Sequence, residues 1–161
     1  MSQKPRRRAA LPHPVDQAQG VAVRPPLDAR EVDLVAGLAG AGPGVRRVWP
    51  GQPGLRSPWR PCERGCCLVA DERPEADRVG WLRFLVREIL APRATVPRAR
   101  AERLGLTGGH RLEGRILLDD VEGVRPRLLV ASGRRVRVVE VDEVQAGEVV
   151  RMRSPGQSTE R

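Results

Sequence analysis

The spacing of apolar positions along this chain changes from helical to alternating. Val32, Leu34, Val35 and Leu38 recur three and four residues apart, the spacing of one helix face. In front of them, Asp28 is an N-cap residue with Glu31 three positions later. Leu27 and Val32 stand where a hydrophobic staple would place them. Gly40-Ala41-Gly42-Pro43-Gly44 ends the pattern, so a helix is expected over 29–39. A broader stripe of Trp81, Leu82, Leu85, Val86, Ile89 and Leu90, with Arg83, Arg87 and Glu88 opposite, predicts an amphipathic helix over 79–91. Pro92 stops it. Beyond residue 109 the period drops to two. His110, Leu112, Gly114, Ile116 and Leu118 fall on one face, and Arg111, Glu113 and Arg115 on the other, which is the signature of a half-buried antiparallel strand. Residues 127–131 and 136–141 flank Ser132-Gly133-Arg134-Arg135 as a hairpin. Further strands are expected over 21–24, 45–49 and 66–70, with a short edge strand over 144–150.

This order, β-α-β-β-α-β-β-β, predicts an α+β domain: an antiparallel sheet of about five to six strands with two main helices packed on one face. Residues 21–150 form the expected single domain. The basic, proline-punctuated residues 1–20 and the polar residues 151–161 carry too little apolar surface to offset ordering entropy and are expected to be disordered tails. Residues 92–109 carry Arg93, Arg98, Arg100 and Arg103 against the single Glu102 and read as an exposed basic loop.

Charge changes the picture less than its size indicates. The formal net charge is +9, of which residues 1–30 carry +4 and residues 101–161 only +1. There are 28 Arg but one Lys, no Asn, no Tyr and one Phe, a set that GC-rich codons favour. An arginine surplus of this kind is a weak warrant for a nucleic-acid partner. Base-stacking aromatics are also scarce. Arg93, Arg98, Arg100 and Arg103 are nevertheless the candidate residues for a nucleic-acid or protein partner. No run reaches the ~18 apolar residues of a membrane span, and the arginines at 6–8 are followed by no apolar export region. A cytoplasmic location is expected.

The candidate chemistry is concentrated in Ser57-Pro58-Trp59-Arg60-Pro61-Cys62-Glu63-Arg64-Gly65-Cys66-Cys67-Leu68, which holds all three cysteines. Cys62, Cys66 and Cys67 could give three thiolates to zinc, with His110 as fourth ligand. Against this, neighbouring side chains on a strand point to opposite faces, and no second Cys-x-x-Cys knuckle exists. Cys62 could instead form a disulfide with Cys66 or Cys67 across the Glu63-Arg64-Gly65 turn, Arg60 and Arg64 favouring the thiolate. The third reading is structural, with Cys66 or Cys67 as a small buried apolar residue. Trp49 and Trp59 offer a ligand shelf or, more plainly, pins for this loop whose indole N–H groups meet backbone carbonyls. Asp119, Asp120 and Glu122 read as a solvated turn. No phosphate-cradling glycine loop and no nucleophile–base pair is present, so a non-catalytic module is expected. No cofactor is expected unless the cysteines hold zinc.

Pro25-Pro26-Leu27, Ser57-Pro58-Trp59 with Pro61-Cys62 and Gly65-Cys66-Cys67-Leu68, Trp81-Leu82-Arg83-Phe84-Leu85 running to Leu90-Ala91-Pro92, and Leu112-Glu113-Gly114 occur in that order. Over roughly residues 21–142 the chain thereby resembles small uncharacterised proteins of actinobacteria. The resemblance implies a compact α+β domain in a bacterial cytoplasm and carries no activity or catalytic residue.

Overall fold

The computed structural model describes residues 19–41, 48–71, 76–118 and 126–140. The expected tails, apart from residues 19 and 20, of which Gly20 already belongs to the first strand, lie outside the described residues, as do the strand over 144–150 and the Asp119, Asp120 and Glu122 turn. So does most of the strand expected over 45–49.

The first helix behaves as its capping sequence requires. Strand β1 (Gly20–Arg24) leads into α1 (Ala29–Leu38). Asp28 Oδ1 accepts from the Glu31 amide at 2.9 Å, and Glu31 Oε2 accepts from the Asp28 amide at 3.0 Å, a reciprocal capping box. The next strand, β2, is Trp59–Pro61, inside what reads locally as a turn-rich loop. Its strand character comes from pairing with β3 (Cys67–Ala70) rather than from local pattern. Ser57 anchors it by donating its amide to the Leu38 carbonyl at 2.9 Å.

The second helix starts as α2 (Arg78–Leu85) and continues as a π-helical stretch over Val86–Leu90. The Ala91 amide donates to the Val86 carbonyl at 2.9 Å across the wider turn. This keeps Ile89 and Leu90 fully buried while Arg87 faces outward. The segment read as a basic loop contains a third helix, α3 (Thr95–Arg103). Pro97 is tolerated there because the first-turn amides have no intrahelical acceptor. Only Pro97 and Ala101 are buried from α3, so no apolar stripe announced it.

Strands β4 (Arg111–Leu118), β5 (Arg127–Gly133) and β6 (Arg135–Glu140) complete a six-stranded, wholly antiparallel sheet of order β2-β3-β1-β4-β5-β6. β4 alternates as its sequence predicts: Leu112, Ile116 and Leu118 are buried, and Arg111, Glu113 and Arg115 exposed. Gly114 lies where β4 crosses β1; a Cβ there would meet Val21 Cγ1 at 2.9 Å. The inward strand residues form one apolar cluster with Leu34, Val35 and Leu38 of α1 and Trp81, Leu82 and Leu85 of α2. The class is α+β, with three helices where two were expected.

Candidate functional site

Three polar assemblies stand out. The first is an arginine cleft. Arg83 and Arg87 lie one helical turn apart across the change from α2 to the π stretch, Arg93 follows it, Arg111 opens β4, and Arg134 and Arg135 sit at the β5–β6 turn. Together with Glu113, Ser132 and a few small apolar residues they line a cleft of about 710 Å³. Arg83 Nε donates to the Val136 carbonyl at 3.2 Å and ties α2 to β6. Arg87 Nε donates to Glu88 at 2.9 Å, and its guanidinium lies 5.9 Å from the Phe84 ring centroid. Among the described residues, the side chains of Arg93, Arg111, Arg134 and Arg135 make no hydrogen bond or ion pair. The single carboxylate of the lining, Glu113, accepts from the Gly133 amide at 3.1 Å. Six arginines, each carrying a permanently charged guanidinium, thus line one cleft with one carboxylate among them.

The second assembly is buried. Glu31 and His110 are 0% and 1% exposed. His110 Nδ1 lies 2.7 Å from the Pro25 carbonyl, so this nitrogen must donate. Nε2 lies 3.1 Å from both Glu31 oxygens, and one proton must be shared across that contact. Glu31 Oε1 also accepts from the Thr107 amide at 2.9 Å, the Thr107 hydroxyl at 2.7 Å and the Gly108 amide at 3.2 Å. Burial pushes the Glu31 carboxyl up. The Asp28 amide, the Thr107 hydroxyl, His110 and the Gly108 amide more than offset that and hold it below the ordinary carboxylate value. With every lone pair engaged and no exposure, this is a structural bolt joining α1 to the start of β4.

The third is the cysteine turn between β2 and β3. The Gly65 amide donates to the Cys62 carbonyl at 2.9 Å, and the Cys62 amide to the Cys67 carbonyl at 3.0 Å. Gly65 is left-handed at φ +67°, and a Cβ there would meet the Leu27 carbonyl oxygen at 2.3 Å, so glycine is required twice over. Leu27 N–H to Gly65 O and Val23 N–H to Cys66 O, both 2.9 Å, clamp the turn onto the segment leading into α1. Cys62 and Cys66 sulfurs are 3.6 Å apart, and all three cysteines are thiols. Burial pushes the Cys62 thiol up. The Cys67 and Cys66 S–H groups and the Cys67 and Arg64 amides outweigh it, so its pKa falls below the usual thiol value. Cys66 is pushed up by burial and by Cys62. Cys67, fully buried, is pushed up to about 12 by burial and its neighbours.

These positions redistribute the residues singled out from sequence. His110 spends both ring nitrogens on Pro25 and Glu31 and is not brought into the cysteine group. Among the described residues no set of three His, Cys, Asp or Glu side chains is placed to hold a metal ion. Arg93, Arg98, Arg100 and Arg103 do not form one surface. Arg93 lines the cleft. Arg98 pairs with Glu102 at 3.7 Å. Arg100 turns inward to Glu88 at 3.2 Å and lies over the Trp49 ring at 5.4 Å. Arg103 is exposed at the end of α3. Of the loop tryptophans, Trp59 donates its indole N–H to the Arg78 carbonyl at 2.8 Å. The buried Trp49 indole N–H has no partner among the described residues. The cleft arginines at 83, 87, 111, 134 and 135 looked like ordinary solvent-facing charges. The one local signal was the pair of arginines in the predicted hairpin loop.

No family model, curated protein or solved structure matches this chain. Among the described residues no helix is long and apolar enough to cross a membrane.

Proposed function

We propose that this protein is a non-catalytic cytoplasmic binding module whose ligand is a phosphate-rich polyanion held in the arginine cleft. The observation that carries this reading is that six arginines line one cleft, four of them with side chains that have no partner among the described residues. Like charges brought together on a folded surface raise its free energy, and a bound anion relieves that cost. The guanidinium fork matches phosphate oxygens bidentately. Trp49, Trp59, Trp81 and Phe84 are all buried, and the chain has no Tyr, so no aromatic of the described surface is available to stack on bases. A nucleic acid would therefore be held by its phosphates, without regard to sequence.

The test is fluorescence anisotropy with labelled single-stranded oligonucleotides of two unrelated sequences, competed by inorganic tripolyphosphate, from about 50 to 200 mM salt. Similar affinity for both sequences, competition, and an affinity falling steeply with salt are expected. Replacing Arg111, Arg134 and Arg135 by Gln should lower the log–log salt slope by about two to three. No binding at the lowest salt, or an unchanged slope in the triple variant, rules out the cleft as the ligand site.

A further inference from the structure

The cysteine turn is independent of the arginine cleft and carries a chemistry of its own. We propose that Cys62 and Cys66 form a peroxide-oxidisable dithiol site, with Cys62 the attacking thiol and Cys66 the resolving one. Three observations support the site, the first and third its geometry and the second the division of roles. The two sulfurs already stand 3.6 Å apart, and both cysteines are partly exposed whereas Cys67 is fully buried. A disulfide needs a sulfur separation of about 2.05 Å, so a closure of about 1.5 Å within one turn is sufficient.

The second observation is the proton inventory. Cys62 is surrounded by donors, the S–H groups of Cys67 and Cys66 and the amides of Cys67 and Arg64, which favour its thiolate. Cys66 and Cys67 are disfavoured as thiolates by burial and by Cys62 itself. The nucleophile is therefore one particular sulfur of three. The third is mechanical: the turn is clamped by backbone bonds from Val23 and Leu27, none of which involves a cysteine side chain. Oxidation can proceed without dismantling the sheet.

The reaction balances with a hydroperoxide as oxidant. The Cys62 thiolate attacks the terminal peroxide oxygen, breaking the O–O bond; for hydrogen peroxide the leaving hydroxide takes a proton and departs as water. The product is a Cys62 sulfenic acid. The Cys66 sulfur then attacks the Cys62 sulfur, its proton accompanying the departing hydroxide as a second water, and the S–S bond forms. Two thiols are oxidised, one peroxide is reduced, and two waters leave.

The full-length chain, reduced and metal-free, is treated with hydrogen peroxide at pH 7. The expected product is a monomer lighter by two hydrogens, reversed by dithiothreitol, with non-reducing peptide mapping placing the bond at Cys62–Cys66. Its rate should be roughly tenfold above that of free cysteine, which is only a few per cent thiolate at this pH. Cys66→Ser should stop at a sulfenic acid on Cys62 that dimedone traps, Cys67→Ser should still close the disulfide, and Cys62→Ser should lose the fast reaction. A wild-type rate equal to that of free cysteine, a bond to Cys67, or a dimer linked between chains would overturn the assignment. The mapping on wild-type protein decides this even where a variant fails to fold.

Discussion

The Glu31–His110 bolt and the arginine cleft place charge in opposite ways. In the bolt, each charged atom meets a partner within about hydrogen-bond distance, and both residues are sealed from solvent. In the cleft, six exposed arginines stand around a single lining carboxylate that pairs with none of them. The bolt has no capacity left for a ligand, since anything added would have to displace a partner. The cleft has capacity in excess of what the fold uses. Unspent hydrogen-bonding potential, more than charge, separates a site from a structural element.

The largest expected effect tests the bolt. Glu31→Ala removes the capping box and leaves His110, Thr107 and Gly108 facing a void, and should cost about 3–5 kcal/mol of stability in denaturant unfolding. A loss under about 1 kcal/mol would mean that the pair is not a bolt.

Next in size is the Glu88–Arg100 pair, which tests whether Arg100 belongs with the bolt or with the free arginines. Glu88 is 7% exposed and accepts from both Arg87 and Arg100. Arg100→Ala should therefore cost about 1–3 kcal/mol by chemical denaturation, whereas Arg98→Ala, whose ion pair with Glu102 is exposed, should cost under about 0.5 kcal/mol. Equal effects would erase the distinction between them.

Acid sharpens the same contrast. The Glu31 carboxyl is held below its ordinary value in the folded chain, so it binds protons less readily than when unfolded. Its contribution to stability is fully present above the unfolded carboxylate value of about 4.3 and is lost as pH falls through the lower folded value. An acid-unfolding midpoint that moves to higher pH in Thr107→Val, which removes one donor to Glu31, is the expected result of circular-dichroism titration. The smallest stability effect belongs to the cleft: Arg111→Gln should leave stability within about 0.5 kcal/mol, its consequence appearing in anion binding alone.

Much of the fold was legible because it is written in short-range spacing. Asp28 and Glu31, three residues apart, declare a helix start, and the structure holds their reciprocal bonds. The alternation from His110 to Leu118 declares a one-sided strand, and the structure buries that face. β2 was not legible, because Trp59, Arg60 and Pro61 have no strand pattern until β3 pairs with them. α3 was not legible because it buries only Pro97 and Ala101.

The candidate sites divide along the same line. The cysteine turn was visible as a cluster within six residues, because a single tight turn brings its members together. The second use of Glu31 was invisible: its partner His110 lies 79 residues away and reaches it only because β4 pairs with β1, directly before α1. The arginine cleft depends equally on the sheet order, which sets the β5–β6 turn beside the end of α2. By itself the sequence determined the capped start of α1, the alternating strand, the hairpin and the cysteine turn, all settled by steric and hydrogen-bond rules that act over a few residues. Only the tertiary structure decided which charges are matched and which stay open, since that depends on which distant segments share a sheet edge or a helix face.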